Sequence, residues 1–131
     1  MKREVFRDAH AVATVDDETR VMVFRRTAHP FASIAEIDAF YRKLESLADL
    51  RERPRLRLLI DVRDAPSRND DAFEAVLKRH ESALFGGWQR RAVLVRTAAG
   101  KLQVKRLGKA NAISAGEPFD DEAAAMTFLT G

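Results

Sequence analysis

Cysteine is absent from the 131 residues, which excludes disulfide staples, thiol catalysis and thiolate metal sites. Histidine is scarce. His10, His29 and His80 are the only three, and none has the paired spacing of a metal-binding helix. Glycine and proline number six and four, with no low-complexity tract among them; Gly86-Gly87 and Gly100 are too isolated to cradle a phosphate. No apolar run approaches the ~20 residues of a membrane span. The amino terminus, Met1 to Asp8, is charged and lacks the apolar core of a signal peptide. These absences predict one soluble, cytoplasmic domain over residues 1–131, with the first eight residues loose and no metal or cofactor.

Acidic residues are missing from one region only. Between Ser82 and Gly116 there are none, while Arg90, Arg91, Arg96, Lys101, Lys105, Arg106 and Lys109 lie there; Glu117, Asp120, Asp121 and Glu122 follow at once. The net charge of +3 is too small to imply nucleic acid, and the basic segment has only Trp88 nearby for stacking, so nucleic acid is not an expected partner. If 97–109 is helical, Lys101, Lys105 and Lys109 recur every fourth residue and form one positive stripe, suited to an acidic protein or an anionic lipid.

What is present is an alternation of strands and helices. Ala11–Val15 and Val21–Phe24 read as strands joined by a turn over Asp16–Thr19, an antiparallel hairpin whose open edge would permit a homodimer. Ser33 and Glu36 form a capping box. Behind it, Ile34, Ile37, Phe40, Tyr41, Leu44 and Leu47 build the apolar stripe of a helix reaching about Leu50, before Pro54. Leu56–Val62 is a near-continuous apolar run of the kind that forms a central strand. A second helix starts at Asp70 or Asp71, runs through Phe73, Val76, Leu77, His80 and Leu84, and ends at Gly86-Gly87. Ala92–Val95 is a further strand, with Trp88 expected in the core. Residues 97–109 fit either helix or strand, with helix favoured. Ala112–Ser114 reads as a last strand, and Asp120 as the cap of a closing helix through Ala123, Met126 and Leu129. The order β-β-α-β-α-β-α-β-α gives an α/β fold with a mixed, five-stranded sheet flanked by helices, parallel beyond the hairpin.

Open α/β sheets bind at the carboxyl ends of their strands. That rule points to Asp61 and the loop Arg63-Asp64-Ala65-Pro66-Ser67-Arg68-Asn69-Asp70. Asp61 is expected to hold loop amides, because no nucleophile accompanies it. His80 is read as a core or boundary residue and His29, before Pro30, as structural. No nucleophile motif or dinucleotide fingerprint is found, so no enzyme is expected.

The hairpin, the Leu56–Asp61 strand, its loop and helix, and the acidic, alanine-rich tail Pro118-Phe119-Asp120-Asp121-Glu122-Ala123-Ala124-Ala125-Met126-Thr127-Phe128-Leu129 together resemble a STAS-type domain. This is the fold of bacterial anti-sigma-factor antagonists, here in its divergent, STAS/SEC14-like branch. The resemblance implies a non-enzymatic regulatory or scaffold module that binds a protein through the 64–71 loop and second helix. It implies a phosphorylatable serine in that loop, where Ser67 is the only serine, flanked by Pro66 and Arg68 rather than by the family's aspartate and small residue. Arg63 and Arg68 would pair with a ligand, and Asp64, Asn69 and Asp70 would cap the loop and helix. The alternative is a module for a small apolar or lipid ligand, held between sheet and helices, with the Lys101, Lys105, Lys109 stripe facing a membrane.

Overall fold

A computed structural model describes residues 2–66, 70–110 and 116–131, with side chains omitted from 107 to 110. Its elements are β1 (Lys2–Arg7), β2 (Ala11–Asp16), β3 (Val21–Arg26), α1 (Ile34–Glu45), a 3-10 turn (Arg53–Arg55), β4 (Arg57–Asp61), α2 (Asp71–Phe85), β5 (Arg90–Leu94), α3 (Ala98–Ala110), β6 (Glu117–Phe119) and α4 (Glu122–Thr130). They form an α/β domain around one six-stranded sheet, whose strands lie in chain order. β1, β2 and β3 pair antiparallel, and β3 to β6 pair parallel.

Alternation along the strands sorts the core into two faces. Ala11, Ala13, Met22, Phe24 and Leu58 face α1 and α2. Val21, Leu59, Ala92 and Leu94 face Ala125 and Leu129 of α4. The expected mixed sheet is present with one strand more than anticipated. The additional strand is β1, so the amino-terminal residues are not loose. Its charged sequence shows no apolar alternation. It is held by backbone pairing to β2, with a bulge between Glu4 and Phe6, and by Arg3–Asp17 and Arg7–Glu4 ion pairs. The outer edge of the β2–β3 hairpin is therefore covered by β1. Charged residues along the new edge discourage pairing with a second sheet.

Two boundaries also differ from expectation. α1 ends at Glu45 rather than near Leu50: Ser46 N–H bonds back to the Lys43 carbonyl and the chain continues in turns. Asp121, not Asp120, caps α4, its Oδ2 accepting from Ala124 N–H at 2.9 Å. The proposed strand 112–114 lies outside the described residues, while β6 occupies Glu117–Phe119 and accommodates Pro118 because it is an edge strand. The 97–109 segment is helical, and Thr97 caps it, its Oγ1 accepting from Gly100 N–H at 3.0 Å.

Other local readings hold. Ser33 Oγ accepts from Glu36 N–H at 3.2 Å, and Glu36 Oε1 accepts from Ala32 N–H at 3.2 Å while meeting His10 Nε2 at 2.9 Å. Trp88 is buried, its Nε1–H donating to the Leu84 carbonyl at 2.8 Å. Beside it lies a buried arginine. Arg53 donates to the carbonyls of Ala48, Glu45 and Gly86 at 3.3, 3.1 and 3.0 Å, and its guanidinium sits 5.1 Å from the Trp88 ring. It thus satisfies carbonyls at the carboxyl ends of both α1 and α2, where helices leave acceptors free and favour positive charge. Burial pulls its pKa below the ordinary arginine value.

Candidate functional site: a hollow beneath three helices

α1, α2 and α3 all lie over the same sheet face, but they do not cover it equally. α1 and α2 pack together. α3 packs on β6 and is tied to α2 by the Arg106–Glu74 ion pair at 3.0 Å. The space left between them is a cavity of about 390 Å³, within the ~300–1,000 Å³ range of small-molecule sites.

The floor of the cavity is the sheet, through Ala11, Phe24, Ile60 and Val93. α1 contributes Phe40, Tyr41 and Leu44 to one wall, and α2 contributes Phe73, Leu77, Glu81, Leu84 and Phe85 to another. Gly100, Gln103 and Val104 of α3 close the third. The remaining lining residues, including Arg26, Phe31, Val62, Pro66, Val95 and Thr97, follow the carboxyl ends of β3, β4 and β5 or lie at them. The hollow is thus at the position where the strand-to-helix junction pointed.

Four charged residues line it: Arg26, Glu81, and the arginines Arg63 and Arg96, which are paired with Asp61 and Glu122 and with Asp64. Arg26 ends β3; its Nε–H donates to the His10 carbonyl at 3.0 Å and its guanidinium lies over the rings of Phe31 and Phe40 at 4.5 and 5.5 Å. Desolvation draws its pKa below the usual arginine value. Glu81, on α2, is 7% exposed and has no hydrogen-bond or ion-pair partner among the described residues. It interrupts an otherwise apolar helix stripe between Leu77 and Leu84. That interruption is visible in the sequence as a carboxylate at core spacing, and it passed unnoticed because one charge in a stripe usually sits at its edge.

A second charged cluster sits at the end of β4. Asp61 is buried and its carboxylate takes Arg25 Nε at 3.0 Å, Arg63 Nη2 at 2.9 Å and the Arg63 backbone N–H at 3.1 Å. Glu122, at the start of α4, receives Arg63 Nη2 at 2.7 Å. Burial alone would raise the Asp61 pKa, but the Arg63 bonds and the nearby Arg25 charge outweigh it, leaving the carboxyl below its ordinary value. The same bonds raise Arg63. Asp61 does hold a loop amide, as expected, and it also organises a fully paired network. His80 is buried, with Nε2 2.8 Å from Asp38 Oδ1 and Nδ1 on Glu45, linking α2 to α1. That hydrogen bond lowers the Asp38 pKa.

Among the described loop residues named from the sequence, Arg63, Asp64 and Asp70 each serve a different neighbour. Arg63 is spent on Asp61 and Glu122, and Asp64 is exposed, with Arg96 at 3.4 Å. Asp70 caps α2, its Oδ2 accepting from Phe73 N–H at 3.2 Å. Ser67, Arg68 and Asn69 lie outside the described residues. On α3, Lys105 is exposed and Lys101 is half-buried, 3.8 Å from Asp120; the side chain of Lys109 lies outside the description. Among the described residues no helix is long and apolar enough to cross a membrane, and no group of His, Asp and Glu could hold a metal ion. Neither a family model, a curated protein nor a solved structure matches this chain.

Proposed function

We propose that the protein is a non-enzymatic binding module whose hollow takes a small amphipathic ligand, an apolar body with an anionic group directed to Arg26. The supporting observation is the cavity itself: about 390 Å³ of largely apolar space at the carboxyl ends of three parallel strands. A close-packed core leaves few voids larger than a water molecule, so a hollow this size has the character of a site. The order of elements, a hairpin followed by strand–helix repeats, supports a STAS-type assignment and with it a cytoplasmic regulatory role.

One further observation supports a protein partner at the 64–71 loop. Ala65 and Pro66 line the cavity, so a partner docked there would sense whether the cavity is filled. Ligand occupancy would then be the input, and the loop the output.

The test is titration with anilinonaphthalene sulfonate, an apolar fluorophore carrying one anion, followed by displacement with decanoate. We expect saturable enhancement that Leu77→Trp, which fills the hollow, abolishes while the circular dichroism spectrum is retained. Arg26→Met should weaken decanoate about tenfold, the worth of one charge-assisted hydrogen bond. Absence of saturable binding, or binding unaltered by Leu77→Trp, overturns the proposal. Co-sedimentation with anionic vesicles, compared for wild type and the Lys101→Glu/Lys105→Glu variant, tests the basic stripe. Equal sedimentation of the two proteins removes the membrane-facing role.

A further inference from the structure

Glu81 is a carboxylate that the packing of the described residues leaves without a protein partner. Its side chain lies within the wall of an apolar hollow, in a residue 7% exposed, yet no arginine, lysine, histidine or backbone amide serves it. Elsewhere buried or half-buried carboxylates of this chain are served: Asp61 by Arg25 and Arg63, Asp38 and Glu45 by His80, Glu36 by His10. Arg26 lines the same cavity and does not pair with Glu81 either; its recorded hydrogen bond goes to the His10 carbonyl. Of the four charged residues that line the hollow, Arg63 and Arg96 are ion-paired, while Arg26 and Glu81 have no ion pair among the described residues. The carboxylate oxygens of Glu81 are not sealed from solvent, so water in the hollow serves them when no ligand is bound; holding a charge in so apolar a wall still costs more than an apolar side chain there. A group retained in such a place is one that something else completes.

We propose that Glu81 is a ligand-binding residue, and that the ligand carries a hydrogen-bond donor, an ammonium or a hydroxyl, on its buried end. This rests on the cavity reading above and adds the second polar point to it. The molecule would set its anion against Arg26, lay its apolar body along Phe24, Ile60 and Leu77, and give its donor to Glu81. An amine is favoured over a hydroxyl because an ammonium adds an opposite charge to the hydrogen bond, in a wall of low polarity where that attraction is little screened. A plain fatty acid satisfies Arg26 and leaves Glu81 unserved. The chemical class is therefore an ω-amino or ω-hydroxy acid with an apolar middle. The donor also gives selectivity, because a ligand lacking it must desolvate Glu81 without replacing its water.

The probes are octanoate, decanoate and dodecanoate, each with its ω-hydroxy and ω-amino form, measured by calorimetric titration or by displacement of anilinonaphthalene sulfonate. At the chain length that spans the hollow, the ω-amino form should bind about tenfold or more tighter than its parent acid, with the hydroxy form between them. Glu81→Gln should erase most of the amine preference while keeping parent-acid binding. Glu81→Leu should invert the order, favouring the parent acid, and should raise the melting temperature of the unliganded protein. Parent acids that bind with no preference for a donor at any length overturn the role of Glu81 and leave the cavity reading standing. If none of the nine probes and no fluorophore binds, the cavity reading falls with it. An amine preference unchanged in both Glu81 variants places the donor elsewhere and overturns the inference.

Discussion

The two faces of the sheet are built from the same alternating strands and end in opposite results. On the α4 face, Leu59, Ala92, Leu94, Ala125 and Leu129 are sealed, none more than 1% exposed. Alanines at 92 and 125 let the helix sit close against β5. On the other face three longer helices cover the sheet, yet aromatic rings and a standoff α3 leave room for about 390 Å³ of hollow. The charges follow the same division. Asp61, on the α4 side, is paired with both Arg25 and Arg63, and Glu122 shares the same two arginines. Glu81, on the hollow side, has no such partner among the described residues.

The largest expected effect lies beneath the hollow face. Arg53→Ala removes the donors that hold the ends of α1 and α2 together and strips packing from Trp88. Buried carbonyls would lose partners at two helix ends, a loss of about 3–5 kcal/mol, read as a fall in the urea midpoint. A loss under ~1 kcal/mol would mean that the helices enclosing the cavity are fixed by something other than this arginine.

Asp61→Asn comes next, on the α4 side. Arg25 and Arg63 are half-exposed and can rehydrate, so the cost falls below that of a fully buried pair, about 2 kcal/mol. The pH dependence gives a sharper signature. Because the folded pKa of Asp61 lies below its unfolded value near 3.8, its contribution is complete above that value. It is lost as pH falls through the folded pKa. The stability difference between wild type and Asp61→Asn should therefore be constant from pH 5 to 7 and shrink below about pH 4. A difference that grows on acidification would contradict the depressed pKa.

How much of this was legible in the sequence depends on the range of the interaction concerned. Ser33 caps α1, and Asp70 and Thr97 cap their helices, because a cap is a contact over three residues. The end of β4 was legible as a site because strand polarity and an apolar run are local signals. β1 was hidden because Lys2–Arg7 carries no alternation and gains its order from pairing with residues of β2. The network around Asp61 was hidden for the same reason: Arg25 is 36 positions from Asp61, and Glu122, which shares Arg63, is 59 from that arginine. Glu81 stood in plain view at core spacing, but only the cavity beside it distinguishes a functional carboxylate from one at a helix margin. Ala65 and Pro66 of the loop expected to bind a partner border the hollow. The loop's Arg63 and Asp70 turn out to serve the fold.

The smallest effect is the one that most directly separates the two faces. Adding volume to a sealed interface forces side chains off their rotamers, at about 1–3 kcal/mol. Ala125→Leu adds it where Ala125 is 0% exposed and packed among Leu59, Ala92 and Leu94, so it should lower stability by about 2 kcal/mol. Leu77→Phe adds a smaller volume, as a rigid ring, on the hollow side, where the side chain borders open space. There the new ring has room, and the loss of empty volume offsets what strain remains; the change in unfolding free energy should stay within about 0.5 kcal/mol of zero. The same substitution should weaken decanoate binding, since the ring occupies the space of the ligand. If Leu77→Phe proves as costly as Ala125→Leu, the hollow is filled by the protein's own side chains in solution, and the asymmetry between the faces disappears.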